Sequence, residues 1–178
     1  MIVFTIGHST RSFEELAELL REHGIEHLVD VRRHPMSRRH PHFTKDVLAR
    51  SLSEQGFVYR HAPELGGRRK ALEGSPNSGW RDDGFRGYAD YQQTAPFAGA
   101  LEELVAEASS SPTAIMCAEA VPWRCHRQII ADVLVARGVT VRHVLGPRQL
   151  REHTLNPRAR PQADGTLVYP ESDQLELL

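Results

Sequence analysis

Four times along this chain a short apolar, β-rich run is followed by an amphipathic stretch with helical spacing, and that alternation restricts the fold more than any other feature. The first run, Ile2-Val3-Phe4-Thr5-Ile6, stops at Gly7. Ser12 and Glu15 then have the spacing of a capping box, in which each side chain satisfies a free backbone N–H at a helix start. That helix carries Phe13, Leu16, Leu19 and Leu20 on one face and stops at Gly24. Leu28-Val29-Asp30-Val31 reads as the second strand, followed by the polar loop RRHPMSRRHPHF. A helix from Thr44 buries Val47, Leu48 and Leu52 and ends at Gly56, and Phe57-Val58-Tyr59 is the third strand.

Residues 62–87 form a loop rich in Gly, Pro, Arg and Asp, of a length typical of lids, binding loops or mobile insertions. One helix covers residues 88–108, with a restart at Pro96 behind Thr94 as N-cap. Residues 114–117 are the fourth strand, and the next helix buries Ile129, Ile130, Val133 and Leu134. Residues 139–145 are the fifth strand, and Pro147 opens a last short helix. Parallel neighbours need crossover helices, so the expected fold is a three-layer α/β sandwich of flavodoxin-like or rhodanese-like type, around a mainly parallel sheet of about five strands. Residues 1–150 make a single domain, and 151–178 a Pro-rich C-terminal extension packed on it or trailing from it.

With 22 Lys+Arg against 23 Asp+Glu and a net charge of −1, a general nucleic-acid binder is disfavoured. No apolar stretch is long enough for a membrane span. The start MIVFTIGHST lacks the basic and apolar regions of a secretory signal, and 2 Cys do not make a disulfide scaffold, so a soluble cytoplasmic protein is expected. All basic residues except Lys45 and Lys70 are Arg, which reflects either GC-rich codon usage or oxyanion recognition. Of the 10 His, His23, His27, His143 and His153 read as ordinary surface residues.

Ligands bind outside the carboxyl ends of parallel strands, and several strand ends here carry reactive or charged groups. These are His8 and Ser9; Asp30 and Arg32; His61 followed by Gly66 and Gly67; and Cys117 and Glu119, followed by Arg124, Cys125, His126 and Arg127. Cys125 falls at a helix start among positive side chains, where a thiol pKa drops and a nucleophilic thiolate results. Three readings of Cys117 and Cys125 stay open: catalytic thiolates, a Zn or Fe site shared with His126, His8 or Glu119, or inert core thiols. His8 is either a general base or a structural residue. Asp30 and Arg32 share a strand face, as a structural pair or with Arg32 on substrate and Asp30 orienting His8 or His61. Gly66-Gly67 allows close approach to a ligand or simply turns the chain.

A cysteine at a strand end with arginine at the following helix start resembles the anion cradle of rhodaneses and cysteine phosphatases. Cys117 to Arg124 spans one residue more than the phosphatase loop. The chain as a whole resembles the domain-of-unknown-function 488 family, from Ile2 to about Gly146, in Thr5-Ile6-Gly7-His8-Ser9, in Asp30-Val31-Arg32 with Pro35 and Ser37, and in Leu65-Gly66-Gly67. The most specific match is Met116-Cys117-Ala118-Glu119 with Cys125-His126-Arg127. The resemblance implies a small stand-alone α/β domain of bacterial type and leaves the reaction open. The expectation is cysteine-dependent transfer or hydrolysis on an anionic small-molecule or nucleotide-like substrate, with cofactor and oligomeric state open. Cys117 or Cys125 would attack, Arg32, Arg124 and Arg127 would hold the anion, His8 or His126 would move protons, and Glu119 or Asp30 would orient them. The alternative is a nucleic-acid- or partner-binding module using Arg32, Arg33, Arg38 and Arg39, with Phe43 for stacking.

Overall fold

The computed structural model describes residues 1–171, so the end of the extension, 172–178, lies outside the described residues. Strand β1 (Ile2–Gly7) leads to helix α1 (Phe13–Glu22), β2 (His27–Asp30) to α2 (Lys45–Glu54), and β3 (Val58–His61) to α3 (Asp83–Tyr91) and α4 (Ala95–Ser110). Strand β4 (Thr113–Cys117) leads to α5 (Arg127–Ala136), then β5 (Thr140–Gly146) and β6 (Gln149–Glu152). The central sheet has the order β3-β2-β4-β1-β5-β6 and is parallel except for β6, which runs antiparallel to β5.

Period-two alternation sends strand residues to two cores. Ile6, Leu28, Ala114, Met116 and Val144 pack with Leu16 and Leu20 of α1 and Leu48 and Leu52 of α2. Val3, Val29, Ile115 and Val141 pack on the other face with residues of α3, α4 and α5. The result is the expected three-layer α/β sandwich, with six strands in its main sheet. The capping box is present: Glu15 N–H donates to Ser12 Oγ at 3.1 Å, and Ser12 N–H donates to Glu15 Oε2 at 2.7 Å. Such a cap contributes about 1 kcal/mol to helix stability.

Several sequence expectations need correction. The expected restart is present, with α4 beginning at Ala95 behind Thr94, but α3 starts earlier than expected, at Asp83, where the Asp82 side chain accepts from Phe85 N–H. Val47 is 44% exposed, since Leu48 and Leu52 fill the buried face of α2. No helix starts at Pro147. Proline presets φ for the first corner of a turn and Arg148 takes φ +54° at the second, so the chain reverses there into β6. The chain beyond β6 returns to the core: β7 (Arg160–Pro161) pairs with β8 (Leu167–Val168), and Leu167 and Tyr169 are fully buried against the α3–α5 layer. No helix among the described residues is long and apolar enough to cross a membrane.

Candidate functional site

β4 lies between β2 and β1, yet its outgoing helix α5 covers the sheet face opposite to α1 and α2. Connections that part to opposite faces leave a crevice at the carboxyl ends of the strands. The backbone prolongs the pairing past the strands, with His8 N–H donating to Cys117 O and Ser9 N–H to Ala118 O, both at 2.9 Å. Gly7 is required there, because a Cβ would sit 1.8 Å from Glu119 O. Ser9 adopts φ +49°, an uncommon conformation for a residue with a side chain. The crevice opens into a cavity of about 690 Å³ whose wall includes His8, Arg32, Cys117, Arg124, Cys125 and His126.

One wall is a buried ion pair. Asp30 is fully buried; its Oδ1 accepts from Arg32 Nε at 2.8 Å and its Oδ2 from Arg32 Nη2 at 2.6 Å and from Tyr59 Oη at 2.8 Å. The remaining guanidinium nitrogen, Nη1, lies 3.2 Å from His8 Nε2. Arginine can only donate, so His8 Nε2 is the acceptor, and Nδ1–H donates to Ser9 O at 2.9 Å. Burial, reinforced by the Arg32 charge, lowers the His8 pKa from 6.5 to about 4. His8 is therefore a neutral ring with its lone pair engaged, stacked on Phe43 at 4.3 Å between centroids. This geometry makes it a support for Arg32 and leaves no free base. Asp30 bonds no histidine among the described residues.

The opposite wall holds both thiols. Cys117 ends β4, and Cys125 follows the helical turn Pro122–Arg124, two residues before α5. Both are buried, at 7% and 4% exposure, and neither is in a disulfide. His126 Nε2–H donates to Val31 O at 3.0 Å, which turns Nδ1 toward the sulfurs, 3.6 Å from Cys125 Sγ and 3.9 Å from Cys117 Sγ. Gly67 leaves room for that ring: a Cβ there would meet His126 Nδ1 at 2.9 Å. Tyr88, from α3, closes the site with its ring 5.0 Å from His126 and its hydroxyl on Leu65 O.

Arg127 decides the charge. It is 1% exposed, and among the described residues no carboxylate lies within ion-pair distance of it. Its Nε donates to Cys125 Sγ at 3.4 Å, its Nη1 to Thr5 Oγ1 at 3.4 Å, and its Nη2 to Glu119 O. A buried guanidinium needs a nearby anion, and the Cys125 sulfur is the group in contact. Burial alone would push the Cys125 thiol up, but the neighbouring Cys117 thiol and the His126 and Arg127 side chains outweigh it, leaving the pKa well below the ordinary value. Cys117 goes the other way: the adjacent Cys125 sulfur and burial both hold its thiol well above the ordinary value. The two sulfurs and His126 Nδ1 lie within 4.8 Å of one another, a donor set that also suits zinc. The guanidinium donating to Cys125 Sγ favours the ionised sulfur, the form that serves as nucleophile and as metal ligand alike.

Cys117, Cys125, His126, His8, Ser9, Arg32, Gly67, Glu119 and Arg124 thus come together around one cavity. Four of the expected residues take other positions, the first being Asp30, fully buried beneath Arg32 and off the cavity wall. Arg127 lies behind the thiols, buried away from the cavity, because its polar groups are used on Cys125, Thr5 and Glu119 O. His61 donates from Nε2 to Arg32 O at 2.8 Å, supporting the arginine from outside. Gly66 makes its close approach to the Arg33 backbone, 2.7 Å from where a Cβ would be, rather than to a ligand. Among the described residues Glu119 bonds no histidine, and its carbonyl accepts from Arg127 Nη2. Sequence reasoning missed that His143 and His153 are interior: His143 is 3% exposed and accepts from or donates to Thr5 Oγ1 at 2.7 Å. The signal existed, since His143 shares a strand face with Val141, and its register partner on β1 is Thr5.

Fold and site together define an α/β sandwich with a buried cysteine pair at the carboxyl edge of its sheet. Residues 12–134, more than half of the chain, match the family described as domain of unknown function DUF488, and the chain belongs to that family. No curated protein and no solved structure matches it.

Proposed function

We propose that this protein is a thiolate-dependent enzyme that transfers or hydrolyses a group on an anionic small-molecule or nucleotide-like substrate, with Cys125 as the nucleophile. The observation that carries the reading is the buried Arg127 guanidinium, which meets no carboxylate among the described residues and donates to Cys125 Sγ at 3.4 Å. Arg32, pinned by Asp30, and the exposed Arg124 present positive charge to the same cavity, which suits an anion. Attack by Cys125 forms a bond from sulfur to the electrophilic phosphorus, sulfur or acyl carbon as the bond to the leaving group breaks. The leaving group takes a proton from the Cys117 thiol or through His126, whose Nδ1 faces both sulfurs.

The test compares iodoacetate with iodoacetamide as probes of each cysteine, read by peptide mass below neutral pH. A thiolate in a cationic cavity reacts with the charged reagent faster than with the neutral one, and this is expected at Cys125. Preference for the neutral reagent, or an inert Cys125, overturns the reading.

A further inference from the structure

A line of buried side chains runs from the thiol site to the far edge of the sheet and uses none of the cavity residues. Arg127 Nη1 lies 3.4 Å from Thr5 Oγ1, Thr5 Oγ1 2.7 Å from His143 Nδ1, His143 Nε2 3.0 Å from His153 Nδ1, and His153 Nε2 2.8 Å from Asp132 Oδ1. Arginine only donates and a carboxylate only accepts. With both rings neutral and carrying hydrogen on Nε2, every link then points the same way, from Arg127 to Asp132. Asp132 is fully buried and is further held by Tyr169 Oη at 2.9 Å and Asn156 N–H at 2.9 Å. The elements packed around the line contribute Thr5 from β1, Arg127 and Asp132 from α5, His143 from β5 and Arg151 from β6, with His153 just beyond it.

We infer that Thr5, His143, His153 and Asp132 are positioning residues that hold the Arg127 guanidinium against Cys125 and so help keep that sulfur ionised. The inference rests on the thiolate reading above and adds a distant counter-charge to it. Arg127 is fixed on one side by Cys125 Sγ and Glu119 O, and on the other by a hydroxyl whose own proton is committed to His143. Without that commitment the hydroxyl is free to rotate, and the guanidinium loses its aim.

The experiment measures the pH midpoint of Cys125 alkylation by iodoacetamide in the wild type, Thr5→Val and Thr5→Ser. Valine keeps the branched shape and removes the hydroxyl, whereas serine keeps the hydroxyl. The expected result is a midpoint about one unit higher in Thr5→Val, comparable to losing a well-placed opposite charge, and restored in Thr5→Ser. A folded Thr5→Val with the wild-type midpoint overturns the inference and leaves the thiolate reading standing. A wild-type Cys125 that reacts only as an ordinary thiol removes both. Nitrogen-15 NMR of histidines in the wild-type protein gives a readout that needs no variant. His143 and His153 should both be neutral with hydrogen on Nε2. Hydrogen on Nδ1 of His143, with an imidazolium at His153, would neutralise Asp132 locally and overturn the inference.

Discussion

Two buried arginines near the thiols are balanced in different ways, and the difference separates their surroundings. Arg32 has a carboxylate, Asp30, bound through two of its nitrogens. Removing one partner of such a pair leaves an uncompensated buried charge, so Asp30→Asn is expected to cost about 3–5 kcal/mol in chemical denaturation. A loss under about 1 kcal/mol would show that the pair is not holding the wall. Arg127 has a sulfur where Arg32 has a carboxylate. Arg127→Met should therefore raise the alkylation midpoint of Cys125 by about one to three units, while Cys117 stays the slower thiol. The Asp30–Arg32 pair was legible in the sequence, since residues two apart on a strand share a face. The place of Arg127 was not. Sequence shows a positive charge beside a cysteine, but burial decides whether that charge meets substrate or the thiol itself.

At the scale of elements, the strand ends were legible because the first β-rich run stops at Gly7 and the later ones give way to polar residues. The start of α3 was harder to see. Tyr88 and the residues after it keep an apolar spacing that continues into α4, and only the Asp82 cap places the true start of α3. The β6 hairpin was missed because Pro147 also suits the first turn of a helix, and nothing local announces the positive φ of Arg148. Two glycines give sharp tests of how tightly the elements meet. Gly7→Ala sets a Cβ 1.8 Å from the Glu119 carbonyl, a backbone atom that cannot move alone, so a loss above about 3 kcal/mol in folding stability is expected. Gly67→Ala presses on the His126 ring, which can turn. It should cost only about 1–2 kcal/mol but slow Cys125 alkylation several-fold below neutral pH, as rapid quench and peptide mass would show. Unchanged reactivity would mean that the ring orientation does not matter.

For the molecule as a whole, buried histidines couple folding to pH. Burial lowers the pKa of His8 from 6.5 to about 4 and that of His143 from 6.5 to about 3, so the unfolded chain binds protons that the folded chain refuses. Their contribution is fully present above pH 6.5 and is lost as pH falls through about 4 and then about 3. Calorimetry should show a melting temperature that falls progressively below pH 6.5; a flat profile down to pH 4 would mean that neither ring is held neutral. The alternation of strands and helices made the layered architecture readable, but the strand order was not, because it depends on which face each crossover chooses. That choice places β4 beside β1 and brings Cys117 to His8, and it also sets Arg127 behind Cys125. On the proposed reading Cys125 is the thiolate and Cys117 stays protonated beside it. The most direct test is the alkylation rate of each cysteine against pH, resolved by peptide mass in the wild-type protein. The expected result is a Cys125 midpoint well below the unperturbed value of about 8.5 and a Cys117 midpoint above it. A lower midpoint at Cys117, or two midpoints at the unperturbed value, would contradict it.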